Sequence, residues 1–394
     1  MSRSSGGHPG LGAEDPLDAR FGHAPPEPEA AHRARVFDRR LALGLSPTPV
    51  LGLFVLLLGI ALGPHGLNLL SPPVLSHLDP AASVALAALG VLVGLGFDVR
   101  GPRQGRLLAA ASLEAGLTML LVGAGVLLVL SRWPAPMDVT PWLSALLLGV
   151  CASASATAAT DLSDEFRGPA AHIGDLDDVL PIVIGGLALA WMREGSPGAA
   201  VWLTIQASGV ALVIALAAWL LVTQASSDSE QHVFALGGLL LLGGAAEYLS
   251  LSALVAGFVA GVFWNLAGGS ACDRIRRDVN HVQHPLVFVL LVIAGARVGG
   301  FTPILVGLVV VYVVLRITGK VAGGWLVRRL IATDLPPQVG LRLMSPGIVG
   351  VAFALNALQA GGAGRASLVL AVTVAGSLGS ELLSLLVRRI ETPA

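Results

Sequence analysis

The feature that most limits how this chain can fold is the repeated occurrence of long apolar runs. From about Pro49 to Ile390, runs of roughly 16 to 28 residues alternate with short polar segments, and such runs suit helices that cross a hydrocarbon core about 30 Å thick. The composition agrees, because 54% of the residues are hydrophobic, only 12% are charged, and the mean hydropathy is +0.78. The sequence therefore predicts an all-α polytopic membrane protein.

The apolar runs divide into about twelve candidate transmembrane helices. They lie approximately at 48–63, 81–98, 106–132, 141–166, 170–193, 198–223, 233–247, 249–267, 284–299, 303–329, 340–358 and 366–388. Arginines concentrate in alternate loops, near positions 100–106, 167, 274–277, 328–329 and 388–389. By the positive-inside rule, this bias predicts that both termini lie in the cytoplasm. The membrane we expect is the inner membrane of the cell.

Three regions follow from this pattern. Residues 1–45 are rich in Pro, Gly, Ala and charge, which predicts a disordered cytoplasmic tail. Residues 46–390 form the predicted transmembrane domain, and residues 391–394 form a short cytoplasmic tail. The sequence has two cysteines, a net charge of −1 and no nucleophile–base set, metal-ligand cluster or phosphate loop. It therefore predicts that the protein is not an enzyme, holds no cofactor and binds no nucleic acid.

Two stretches of the predicted domain have similar layouts. Helix triplets over about 106–193 and 303–390 each contain a middle helix interrupted by small or helix-breaking residues. The interruptions are CASASATAAT (Cys151–Thr160) and LMSPGIVG (Leu343–Gly350), the second containing Pro346 and Gly347. Triplets that start on opposite sides of a membrane would be inverted-topology repeats, and matched broken helices indicate a transport site near the midplane. Tight helix packing is an alternative explanation for either interruption alone.

An acidic pair lies inside one apolar segment, in GDLDDVLPIVI (Gly174–Ile184). Asp177 and Asp178 come about ten residues after Arg167, which corresponds to roughly 15 Å of helix from the cytoplasmic boundary. Ionisable groups at this depth are costly and typically line an ion or proton pathway. The alternative is that each aspartate caps a helix or pairs with an arginine.

Lys320 is the only lysine among the 24 basic residues, and it also lies within an apolar segment. It comes about nine residues before Arg329, so its predicted depth matches that of the acidic pair. A buried lysine can lose its proton near neutral pH, whereas arginine effectively cannot, which favours a chemical role. The alternative is a lysine that snorkels toward the interface.

Several further polar residues could assist the acidic pair. Arg316 lies one helical turn before Lys320 and could pair with Glu381, and Glu114 in the third predicted helix is a further candidate partner. Asp175 precedes the pair on its cytoplasmic approach. The interrupted helix adds candidate hydroxyl ligands at Ser153, Ser155 and Thr157.

Two adjacent carboxylates in a low-dielectric cavity resist simultaneous ionisation. One can face the cavity while its neighbour meets Lys320. A carboxylate in this position binds either a proton or a small hard cation, and competition for one seat is sufficient to couple two fluxes.

At this point the chain resembles the monovalent cation/proton antiporter superfamily, and in particular its bacterial sodium/proton antiporters with an Asp-Asp pair. The resemblance runs from about Leu51 to Arg389. It rests on LGIALGPHGL, LGVLVGLGFDVR, SASATAAT, GDLDDVLPIV, LSLSALVAGFVAGVFW, RITGK and GLRLMSPGIVGVAFAL in this order.

The resemblance implies two crossing discontinuous helices, with Asp178 as the carboxylate that binds cation and proton and Asp177 paired with Lys320. It also implies a homodimer in which core helices move against a dimerisation domain, electrogenic exchange of sodium or lithium, and a role in pH homeostasis. Potassium/proton exchange, symport of an organic anion with sodium, and a non-transporting membrane sensor remain alternatives.

Overall fold

Helices make up almost all secondary structure in the part of the chain that the computed structural model describes, which is residues 49–97, 102–132, 140–155, 173, 176–300, 303–331, 339–361 and 366–391. The described helices are α1 (Pro49–Leu62), α2 (Pro72–His77), α3 (Asp79–Gly96), α4 (Pro102–Arg132), α5 (Pro141–Ser153), α6 (Val179–Glu194), α7 (Pro197–Gln224), α8 (Asp228–Tyr248), α9 (Ala253–Ala267), α10 (Gly269–Ala296), α11 (Pro303–Leu330), α12 (Val339–Arg342), α13 (Ile348–Gly361) and α14 (Ser367–Glu391). The predicted all-α architecture is confirmed.

Six of these helices are long and apolar enough to cross a membrane, namely α3, α4, α7, α10, α11 and α14. Shorter apolar helices lie within α1, α5, α9 and α13. Large apolar side chains also cover the outer surface of the bundle, for example Trp202 and Val213 on α7 and Leu240 on α8, each at least 60% exposed. An exterior of this kind suits lipid rather than water, so the chain is a multi-pass membrane protein.

Two predicted helices start at positions that differ from those in the structure, and one of them bears the acidic pair. The helix predicted over 284–299 begins at Gly269, so Arg274, Arg276 and Arg277 lie in α10 and not in a loop. Arg276 donates to the Leu95 carbonyl, an interaction that anchors this polar turn to the end of α3. The helix predicted over 170–193 is continuous only from Val179, with the acidic pair in the turn before it.

The closest helix packing joins α3 to α9. Gly90 and Gly94 on α3 face the α9 backbone at Leu254 and Phe258, while Gly257 and Gly261 on α9 face the carbonyls of Ala87 and Val91. Both helices therefore carry a G-x-x-x-G motif on the contact face, an arrangement that allows membrane helices to approach closely. A side chain at any of these positions would collide with the backbone of the facing helix and force the two helices apart.

This packing predicts a selective loss of stability for Gly257→Ala. A Cβ atom at this position would overlap the Ala87 carbonyl, and overpacking of this kind costs about 1–3 kcal/mol. Gly237→Ala on α8 is the matched control, because it is helical and a Cβ there meets nothing within 4 Å. In detergent, we expect the thermal unfolding midpoint to fall by several degrees for Gly257→Ala and to stay constant or rise for Gly237→Ala. Equal midpoints for the two variants would contradict this packing.

Candidate functional site

Lys320 lies at the centre of a buried polar cluster on α11. Its side chain is 0% exposed, and its ammonium nitrogen Nζ lies 3.0 Å from Glu114 Oε2 and 3.3 Å from Asp177 Oδ2. The same nitrogen also donates to the Ser153 carbonyl and to Ser155 Oγ, the latter at 3.2 Å. The ammonium therefore lies between two carboxylates, with two further oxygens around it.

Close contact between α4 and α11 brings Glu114 to this position. A Cβ atom at Gly319 would lie 2.9 Å from the Thr118 Cα atom, and one at Gly323 would lie 3.0 Å from the Glu114 Cγ atom. Thr118, one helical turn after Glu114, donates from Oγ1 to Glu114 Oε1 at 3.3 Å. The glycines flanking Lys320 thus let the α4 carboxylate reach its ammonium group.

The acidic pair occupies the turn that precedes α6. Asp177 and Asp178 are both 0% exposed. Asp178 is at the N-cap position of α6, yet its side chain makes no capping hydrogen bond, so helix capping does not account for its burial. Asp177 accepts a hydrogen bond from Ser155 Oγ in addition to its ion pair with Lys320. The predicted juxtaposition of Asp177 and Lys320 is therefore present.

The two predicted helix interruptions meet at this cluster. Helix α5 ends at Ser153, α13 begins at Ile348, and Ser155 forms an isolated antiparallel bridge with Pro346. A Cβ atom at Gly347 would lie 3.0 Å from the Ser155 carbonyl oxygen, so a larger residue would require the Ser155 backbone to move by a few tenths of an ångström. The C-terminal end of one helix and the N-terminal end of another are thereby brought to one buried point.

Arg316 braces this junction. Its guanidinium donates from Nη1 to the Met344 carbonyl at 2.6 Å, and from Nη2 to the Ala154 carbonyl at 2.8 Å and the Ser345 carbonyl at 3.4 Å. Glu381 on α14 accepts from Ser345 Oγ at 2.7 Å. Non-helical backbone carries carbonyls that need donors when buried, and Arg316 supplies them for both segments.

The formal charges of the cluster do not balance. Within the described part of the chain, the buried carboxylates of Glu114, Asp177, Asp178 and Glu381 number four, against the two buried cations Lys320 and Arg316. If all six groups were ionised, the cluster would carry two more negative than positive charges. Uncompensated buried charge is very costly, so the arrangement favours the uptake of protons or small cations.

The structure does not place every predicted site residue. Thr157 and Asp175 lie outside the described residues. Ser153 was predicted as a hydroxyl ligand, but its Oγ donates to the Val150 carbonyl at 2.8 Å, and its own carbonyl faces Lys320 instead. A serine in the last turn of a helix readily bonds back to the preceding turn, and the role of Ser153 as a hydroxyl ligand stays a prediction.

Sequence reasoning missed two polar side chains of the cluster. Ser345 lies within the predicted interruption LMSPGIVG, so its position there was a usable signal. Thr118 lies four residues after Glu114, the spacing that places two side chains on one helical face. Neither is charged, and serine and threonine occur throughout the chain, so neither stood out.

No protein-family model matches the sequence, and the comparison with curated proteins finds no match. Among solved structures, the chain is similar to the sodium proton antiporter MjNhaP1 from Methanocaldococcus jannaschii, with 16% sequence identity and a TM-score of 0.59. The match covers 84% of this chain and 91% of the other. The chain therefore shares the fold of that antiporter over most of the length of both proteins.

Proposed function

We propose that the protein is a secondary active transporter that exchanges a monovalent cation, sodium or lithium, for protons across the cell membrane. The observation that carries this proposal is the burial of Asp178 next to Asp177, whose ion pair with Lys320 lies where α5 ends and α13 begins. Similarity of fold to a sodium proton antiporter supports it.

In this mechanism the Asp178 carboxylate is the one binding site that proton and cation share, and we call it the shared seat. This carboxylate holds either a proton or a dehydrated cation, and the two bound states exclude each other. The C-terminal end of α5 is the negative end of its dipole and presents carbonyl oxygens, which favour a nearby cation. Asp177 and Lys320 form the switch that responds to the state of the seat.

The proposal includes the finer architecture of such a transporter. We propose twelve membrane spans with inverted repeats, cytoplasmic termini, and a homodimer in the inner membrane. Helices within 106–193 and 303–390 would form the core that moves relative to the remaining helices. Exchange would be electrogenic, with more protons than cations moved per cycle, and would serve pH homeostasis.

Polar contacts link the core helices to the remaining helices at one end of the bundle. Asn356 Nδ2 on α13 donates to Ser252 Oγ at the start of α9 at 2.6 Å, and Gln359 Nε2 donates to the Asp79 carbonyl at 3.3 Å. Arg193, near the end of α6, donates to the Leu249 carbonyl at 3.1 Å. With cytoplasmic termini these contacts lie on the outer side, so we propose that the site opens toward the cytoplasm here.

Replacement of the shared seat tests the function directly. In proteoliposomes with an imposed pH gradient, sodium or lithium should dissipate the gradient for the wild type. Asp178→Asn should slow this by at least tenfold, because the amide takes up no proton in this pH range and has no negative charge to attract a cation. Asp228→Asn is the matched control, since Asp228 is exposed at the start of α8. The proposal fails if no monovalent cation moves protons, or if Asp178→Asn works as well as the control.

Relative movement of the core should be blocked by a covalent link at the Asn356–Ser252 contact. In a background with Cys151 and Cys272 replaced by alanine, we expect cross-linking of Asn356→Cys to Ser252→Cys to stop exchange and reduction to restore it. The matched pair Ser83→Cys and Glu247→Cys links α3 to α8, both outside the core, where the native side chains are in contact. Cross-linking that pair should leave exchange intact. Unchanged exchange through the Asn356–Ser252 link would rule out this movement.

A further inference from the structure

Lys320 has a second carboxylate partner that the proposed exchange does not use. Glu114 Oε2 lies 3.0 Å from the ammonium nitrogen, closer than Asp177 Oδ2 at 3.3 Å. Glu114 is only 1% exposed and comes from α4, whereas Asp177 comes from the turn before α6. The ammonium group is therefore shared between carboxylates on two different elements.

Among the residues that the structure describes, few other charged groups surround Glu114. From α11 come Lys320 and, at longer range, Arg316. The turn before α6 contributes Asp177, whose Oδ2 lies 3.3 Å from the same ammonium nitrogen. Thr118 donates to Glu114 from its own helix, and around Lys320 lie the Ser153 carbonyl at the end of α5 and the Ser155 hydroxyl just beyond it.

Loss of the proton from Lys320 would be costly in this arrangement. A neutral amine would leave both Glu114 and Asp177 without their shared counter-charge in a water-excluded cluster. If the ammonium instead keeps its proton and changes partner, one carboxylate is always paired. The other is then either protonated or occupied by a cation.

We propose that Glu114 is a second proton-binding group of the exchange, and that it receives the ammonium of Lys320 when a cation draws Asp177 away. The inference rests on the proposed cation/proton exchange. The inference assigns the second proton of the exchange to Glu114. The alternative carrier of that proton is Lys320.

The net charge of these groups differs by one between the two loaded states of this scheme. In the proton-loaded state, Asp178 and Glu114 are protonated and Asp177 is paired with the ammonium of Lys320, which sums to zero. In the cation-loaded state, both aspartates are ionised around one cation, and the ammonium is paired with ionised Glu114, which sums to −1. Two protons leave to solvent for each monovalent cation that enters, so the exchange is electrogenic.

The test counts the protons released per sodium ion bound by the purified protein in weakly buffered detergent solution, with a pH-indicator dye and isotope-labelled sodium. This binding measurement does not require turnover. We expect about two protons for the wild type, one for Glu114→Gln, and two for Glu114→Asp, which keeps a carboxylate. Glu194→Gln, at an exposed position at the end of α6, is the matched control and should release two.

Lys320→Arg separates the two proton carriers, because arginine retains its proton under these conditions. If Glu114 carries the second proton, this variant still releases two protons. A value of one for Lys320→Arg together with two for Glu114→Gln would overturn the inference and assign the proton to the lysine. Should Glu114→Gln fail to fold, as judged by size-exclusion chromatography, the Lys320→Arg count decides alone, with two supporting and one contradicting Glu114.

Failure of the inference can be told apart from failure of the proposed function. Release of one proton by both the wild type and Glu114→Gln would refute the role of Glu114 while leaving cation/proton exchange intact. If neither sodium nor lithium causes the wild type to release protons, the proposed cation/proton exchange itself is wrong. Loss of sodium binding in a folded Glu114→Gln would also overturn the inference, since it would make Glu114 part of the cation seat.

Discussion

The buried ammonium group of Lys320 is the interaction on which the rest of the site depends. An isolated ammonium at 0% exposure would not be tolerated, so four oxygens from three parts of the chain converge on it. These oxygens tie α4, the end of α5 and the turn before α6 to α11. Removal of one partner from a buried ion pair typically costs about 3–5 kcal/mol, so the cluster holds the helices together as well as carrying charge.

Arg316 and Lys320 have different roles in the cluster, because Arg316 bonds to backbone carbonyls and Lys320 bonds to carboxylates. Arg316 bonds to backbone carbonyls on both sides of the junction between α5 and α13, where a planar guanidinium can donate to several acceptors at once. Lys320, one turn further along α11, contacts carboxylates whose charge can change. A rigid brace next to a titratable cluster allows ions to be exchanged while the broken helices stay in place.

Much of the fold could be predicted because a helix that crosses a membrane is recognisable in the sequence as a long apolar run. The start of α10 could not, because Arg274, Arg276 and Arg277 are polar enough to suggest a loop, whereas in the structure they lie in the helix and Arg276 donates to the Leu95 carbonyl of α3. In the site, the lone lysine and the acidic pair stood out as costly charges in apolar segments. The closer partner Glu114 was identified only as an accessory group, because pairing across more than 200 residues depends on the approach of α4 to α11.

Competition between cation and proton for one buried seat is the central claim, and cation affinity as a function of pH measures it most directly. Sodium or lithium binding to the purified wild-type protein can be followed by thermal stabilisation in detergent across a range of pH. Competition requires the apparent Kd to rise steadily as the pH falls, by at least tenfold per pH unit once the seat is mostly protonated. An affinity that does not change with pH, or no stabilisation by any monovalent cation, would contradict a shared seat.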